Sequence, residues 1–171
     1  LEQGDQSIIS HEVWALHQDR SGVLWIGTEK GLDQYYPATK KFRHFSNPAI
    51  PARGLKSEQI RNVYEDLTSK LWVGTKDAGL QWLNGEADTF VAVPNPHGMY
   101  SNAIQCITDG PPRQLWVGTE GGLFRLDTRS MQYTFIEEVA QHSIRCLYKD
   151  SGNLLWVGTT HGLIQLNIDT K

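Results

Sequence analysis

Leu115-Trp116-Val117-Gly118-Thr119 occurs four times in this 171-residue chain, with a single Val-to-Ile change in one copy. The other copies are Leu24-Trp25-Ile26-Gly27-Thr28, Leu71-Trp72-Val73-Gly74-Thr75 and Leu155-Trp156-Val157-Gly158-Thr159. Tryptophan-to-tryptophan steps of 47, 44 and 40 residues are the period of a repeat architecture, in which one supersecondary unit recurs and buries its faces on its neighbours.

Aligned on tryptophan, the units share more. Twelve residues earlier stand Val13, Ile60, Ile104 and Ile144, opening a short mixed run that reads as strand A. Six residues earlier stand Asp19, Asp66, Gly110 and Asp150, in turn chemistry such as Asp19-Arg20-Ser21-Gly22, with Pro111-Pro112 serving the third unit. The Leu-Trp-Val/Ile-Gly-Thr run is strand B, whose β-branched and aromatic residues suit a buried pleated surface. A glycine inside a strand marks a bulge or a close backbone approach; for Gly27, Gly74, Gly118 and Gly158 the expectation is approach of a neighbouring backbone. Thr-x-x-Gly-Leu, closing on Gly31, Gly79, Gly122 and Gly162, is a tight hairpin into strand C. Strand D begins ten residues after the Leu of that pair, at Phe42, Phe90 and Tyr133; in the last unit it would begin beyond Lys171.

Four short strands per unit, turns every eight to twelve residues and no 3.6-residue pattern predict an all-β fold of β-propeller blades, each a four-stranded antiparallel sheet. The blades run approximately over 13–45, 60–93, 104–136 and 144–171, the last lacking its outer strand. Propellers close their ring, often by pairing strands from both chain ends, yet residues 1–12 offer no strand to complete the fourth unit. The expectation is therefore about four blades of a larger, incomplete propeller of roughly six to eight blades. The first and last blades should each expose a face and self-associate through it.

The units resemble the two-component regulator propeller repeats, whose text is close to hydrophobic-x-x-hydrophobic-x-x-Asp-x-x-Gly-x-Leu-Trp-Val/Ile-Gly-Thr-x-x-Gly-Leu. Unit one, from Val13 to Leu32, matches almost letter for letter. Departures are Ala78, which lengthens one hairpin, Gly110 in place of Asp, and Ser69-Lys70 where Gly-x is usual. The resemblance implies the periplasmic sensor part of a bacterial inner-membrane signalling protein, followed by a histidine kinase, a response-regulator segment or a diguanylate cyclase. It implies a non-catalytic ligand-binding role.

Composition agrees with a folded domain: 39% hydrophobic, 20% charged and a formal charge of −3. That charge argues against a nucleic-acid surface, and no apolar run approaches the ~20 residues of a membrane span. Cys106 and Cys146, the two cysteines, fit no metal-ligand spacing; they occupy matching places in strand A and are expected to be small buried thiols.

Trp25, Trp72, Trp116 and Trp156 are expected between blades as core, and the turn aspartates as turn stabilisers in place of calcium ligands, since no EF-hand-like spacing accompanies them. Ligand recognition belongs on the face where strand D hands over to strand A and the B–C hairpins emerge, because binding residues concentrate on loops of a rigid scaffold. The variable positions there are Lys30, Asp77 and His161 in the hairpins and the second residue of strand A: Trp14, Arg61, Gln105 and Arg145. A mixed polar lining with one Trp suits an uncharged or weakly charged small molecule such as an oligosaccharide. No cofactor or metal is expected: His11, His142 and His161 lack ligand spacing, and neither a nucleophile turn nor a phosphate loop is present. Two alternatives stand beside sensing. One is a protein-interaction or dimerisation scaffold without small ligand. The other is a propeller lyase resembling the virginiamycin-inactivating enzymes, which requires a His, a carboxylate and a metal converging at the channel mouth.

Overall fold

The structure is a computed structural model describing residues 7–46, 54–95, 102–140 and 142–168. Its four antiparallel sheets follow the repeats. Blade 1 holds β1 (Val13–Gln18), β2 (Leu24–Thr28), β3 (Leu32–Tyr36) and β4 (Lys41–Phe45); blade 2 holds β5 (Ile60–Glu65), β6 (Leu71–Thr75), β7 (Leu80–Asn84) and β8 (Thr89–Ala92). Blade 3 holds β9 (Ile104–Asp109), β10 (Gln114–Thr119), β11 (Gly122–Asp127) and β12 (Gln132–Phe135). Among the described residues blade 4 has three strands, β13 (Ile144–Lys149), β14 (Leu154–Thr159) and β15 (Gly162–Asn167). In each sheet the strands pair in chain order, the up-and-down meander that short hairpins dictate. One 3-10 turn, Glu137–Val139, lies between blades 3 and 4.

The threonine of the repeat closes its B–C hairpin. Thr28 Oγ1 donates to the Gly31 carbonyl at 2.9 Å and accepts from Lys30 N–H at 3.1 Å. Thr75, Thr119 and Thr159 make the same bond to Gly79, Gly122 and Gly162. Gly31 sits at φ 142°, and a Cβ there would meet the Phe45 carbonyl oxygen, so the turn requires glycine.

Blades touch most closely at their first strands: β1 lies against β5, β5 against β9 and β9 against β13. Sheets that meet at one edge and splay at the other are wedges, and stacking wedges makes an arc with the first strands innermost. The arc is open. Each interblade core follows one recipe. Between blades 1 and 2, Trp25, Leu32 and Phe45 meet Ile60, Val63, Leu71 and Val73. Between blades 2 and 3, Trp72 and Leu80 meet Ile104, Ile107, Leu115 and Val117. Between blades 3 and 4, Trp116 and Leu123 meet Ile144, Leu155 and Val157. Tryptophans 25, 72 and 116 are buried as expected; Trp156, on the outer side of the last blade, is only half-buried.

Two expectations are corrected. What approaches Gly74 and Gly118 from the next blade is a side chain, the γ2 methyl of the isoleucine opening its strand A; at Gly27 the Ile60 carbonyl oxygen comes close as well as its γ2 methyl. A Cβ on Gly74 would lie 2.6 Å from Ile104 Cγ2, and one on Gly118 would lie 2.6 Å from Ile144 Cγ2. The two cysteines are free, but only Cys106 is buried. Burial pushes its thiol up to about 12. Cys146 is exposed because its side of blade 4 has no neighbour to cover it.

Candidate functional site

Each innermost strand is interrupted at the same place. Val13 pairs with Thr28 and Ala15 with Gly27, leaving Trp14 unpaired; Ile60 and Asn62 pair with Thr75 and Gly74 around Arg61. Gln105 and Arg145 are skipped in the same way in blades 3 and 4. A bulge adds one residue to one strand and re-aims its side chain. Its effect shows in the flanking residues. Ile60 packs back on Gly27 of blade 1, whereas Asn62 packs against Gly74 of its own sheet, on the forward side. The residue between them therefore leaves the sheet at its inner edge.

The structure brings part of this row together. The Arg61 guanidinium carbon lies 4.2 Å from the centre of the Trp14 ring, a cation–π contact between neighbouring blades. Arg61 Nε is buried without a hydrogen-bond partner among the described residues. Gln105 Nε2 donates to Glu120 Oε1 at 2.9 Å, so blade 3 presents an amide tied to a hairpin carboxylate. Arg145 is exposed, and neither it nor Arg61 has an ion pair among the described residues. The hairpin residues stay apart. Lys30 Nζ lies 3.7 Å from Glu29 Oε1, Asp77 is exposed on its own hairpin, and His161 Nδ1 is 3.0 Å from Thr160 Oγ1. His161 does meet His142, with ring centres 5.6 Å apart, and His142 Nδ1 is buried with no hydrogen-bond partner among the described residues. His142, Glu29 and Glu120 were not in the expected ligand-binding set, although the hairpin variation that singles out Lys30 also singles out Glu29 and Glu120. Among the described residues no group of three His, Cys, Asp or Glu side chains is placed to hold a metal.

The turn aspartates are fully engaged in structure. Asp66 Oδ1 accepts from Thr68 N–H, Thr68 Oγ1 and Lys70 N–H at 2.8, 2.6 and 3.1 Å, while Oδ2 accepts from Trp72 Nε1 at 2.8 Å. Burial acts to raise the Asp66 carboxyl, but these bonds outweigh it and hold it below the usual carboxylate range. Asp19 binds Trp25 Nε1 at 2.7 Å and Asp150 binds Trp156 Nε1 at 3.3 Å. In blade 3 Gly110 offers no carboxylate, and Trp116 Nε1 is buried without a hydrogen-bond partner among the described residues. The carboxylates of Asp19, Asp66 and Asp150 thus hold the turn through Oδ1 and the indole through Oδ2.

The two-component regulator propeller model matches residues 7–30 and 139–161. Those segments run through the bulge, the Asp–Trp turn and strand B of the first and last blades. In those two segments the chain is similar to two-component regulator propeller repeats. Among solved structures, the extracellular domain of the B. thetaiotaomicron protein BT4673, described as a one-component or hybrid two-component system, superposes with a TM-score of 0.83 at 25% identity. The match covers 97% of this chain and 22% of that one, so the repeats here span about a fifth of its length. The extracellular domain of the hybrid two-component system BT3049, from the same organism, superposes at 0.61 with 22% identity, over 96% of this chain and 30% of that one. Virginiamycin B lyase from Staphylococcus aureus gives 0.60 at 13% identity, over 93% and 56%, which speaks for the shared fold alone. No curated protein matches significantly. Among the described residues no helix is long and apolar enough to cross a membrane.

Proposed function

We propose that this chain is part of the periplasmic, extracytoplasmic sensor of a bacterial signal-transduction protein and binds a small polar ligand, such as an oligosaccharide, at the inner rim of its arc. The observation that carries this reading is the bulge repeated in all four inner strands, which commits the second residue of each to the rim and stacks Arg61 on Trp14. An aromatic face beside a guanidinium and an amide suits a sugar, because the ring covers its apolar face while the flanking donors hold its hydroxyls. The similarity to extracellular domains of signalling systems supports the sensing half of the reading.

The test is a thermal-shift screen of neutral and acidic oligosaccharides against the folded chain, with titration calorimetry on any hit. A binder of the native state raises the melting temperature by mass action. Trp14→Ala and Arg61→Ala should each abolish that rise. A ligand whose binding is indifferent to both substitutions contradicts the rim assignment.

A further inference from the structure

The bulged residue of each inner strand lies close to the first residue of its own B–C hairpin, and the backbone fixes that neighbourhood alike in every blade. Glu29, Lys76, Glu120 and Thr160 donate their N–H to the carbonyl just ahead of strand A, that of Glu12, Gln59, Ala103 and Ser143, at 3.3, 3.0, 3.3 and 3.1 Å. Two residues on from each carbonyl is the bulged position, Trp14, Arg61, Gln105 or Arg145. In blade 3 the two side chains meet, Gln105 Nε2 donating to Glu120 Oε1 at 2.9 Å. Blade 2 carries a different pair at these two places. Its bulged residue is Arg61 and its hairpin residue is Lys76, so two cations stand where blade 3 sets an amide against a carboxylate. Neither has an ion pair among the described residues, and the acid next to Lys76, Asp77, is exposed and pairs with neither.

The arginine is poised for an acceptor. Trp14 covers one face of its guanidinium, 4.2 Å away, which leaves the edge, along which the N–H groups point, to meet an acceptor in the plane. Nε is buried with no hydrogen-bond partner among the described residues. Arg61 is only partly exposed, so its charge has given up part of its hydration without a counter-ion in return, a cost that a bound anion offsets. Blade 2 is flanked on both sides, β1 and β9 lying against β5, so this place is set by internal packing.

We infer that the ligand of the rim carries an oxyanion, a uronate carboxylate or a sulfate ester, and that Arg61 and Lys76 select it. This rests on the rim reading above and narrows it from polar oligosaccharides to acidic ones. The planar Arg61 fork takes two oxygens of the anion side by side, held from behind by Trp14. Lys76, exposed on the hairpin, brings a second positive charge to the same place. The blade 3 pair, closed on its own carboxylate, offers an anion nothing comparable.

The test is titration calorimetry of the folded chain with oligosaccharides in matched pairs: uronate-bearing ones with their methyl esters, and sulfated ones with their desulfated counterparts. The acidic member of at least one pair should bind about tenfold or more tightly than its neutral counterpart, and its affinity should fall as sodium chloride is raised. Which kind of pair shows the preference tells carboxylate from sulfate. Arg61→Gln/Lys76→Glu gives blade 2 the two residues that blade 3 already carries, and it should erase the preference. Should that variant lose its sheet circular dichroism, Lys76→Gln, at an exposed position, is read in its place and should weaken the acidic member by about two- to fivefold. Neutral counterparts that bind as tightly as the acidic ones, with Trp14→Ala abolishing both, would overturn the inference and leave the rim reading standing. A preference for the acidic member that is unchanged in these variants would also overturn it. Binding by no member of any pair would overturn both.

Discussion

Replacing Asp66 with alanine removes four hydrogen bonds at once, and their surroundings decide the cost. The Thr68 hydroxyl and the two turn N–H groups lie near solvent, where water replaces the lost oxygen at small cost. Trp72 is 0% exposed and its Nε1 has no such recourse. Leaving a buried donor unsatisfied costs about 1–3 kcal/mol, and hydrogen bonds to a charged acceptor contribute about 1.5–3 kcal/mol. Allowing for water at the turn, Asp66→Ala should destabilise by about 2–4 kcal/mol, a large share of the roughly 5–15 kcal/mol of a typical domain. Urea denaturation at pH 7 followed by tryptophan fluorescence reads this directly. The third blade supplies an internal control. Trp116 Nε1 is already without a hydrogen-bond partner among the described residues, so Trp116→Phe should cost about 1 kcal/mol less than Trp72→Phe, which also strands a carboxylate. An Asp66→Ala cost under about 0.5 kcal/mol, the ordinary range for surface substitutions, would refute the reasoning, as would equal costs for the two tryptophan variants.

Three other outcomes follow from the same geometry. Asp19 and Asp66 have carboxyls held below their ordinary value, so their contribution is complete above about pH 4 and lost as pH falls through the depressed folded-state values; urea midpoints from pH 7 to pH 3 should show the Asp66→Ala deficit shrinking only below about pH 4. Gly74→Ala drives a methyl to within 2.6 Å of Ile104 Cγ2 and should cost about 1–3 kcal/mol by overpacking; Ile104→Ala removes that methyl, so Gly74→Ala/Ile104→Ala should cost less than the sum of the two single changes in the same assay. Asp33 is fully buried, with His44 Nδ1 at 2.6 Å and Ile9 N–H at 2.8 Å; Asp33→Ala should cost about 2–4 kcal/mol and speed hydrogen exchange at Ile9.

Most of the fold was legible because the repeat states the same facts four times. The glycine of each hairpin, the threonine that closes it and the tryptophan between blades are local necessities, and each has the place that its chemistry implies. The rim was harder to read. Val13 and Leu16, Ile60 and Val63, and Ile104 and Ile107 stand three apart, and in a regular strand such pairs fall on opposite faces. Their apolar match is the trace of the bulge that puts them on one face and frees the residue after the first. The Asp–Trp bond left a trace too, a constant six-residue spacing, but spacing does not reveal that the indole turns back onto the carboxylate. Cys146 and Trp156 were read as buried by analogy with their counterparts, and position in the repeat does not say which blade lacks a neighbour. Lys30, Asp77 and His161 were chosen for variability alone, and the structure leaves them on separate hairpins.

Radial stacking of the blades, with the second residues of successive inner strands side by side, is tested most directly by cross-linking Trp14→Cys/Arg61→Cys with the shortest bismaleimide. The background is Cys146→Ser; Cys106 is protected by burial and by a thiol pushed up to about 12. Rapid intramolecular bridging of the folded chain, abolished in urea, is the expected result. A folded double-cysteine chain whose two thiols react separately and never bridge would contradict the arrangement.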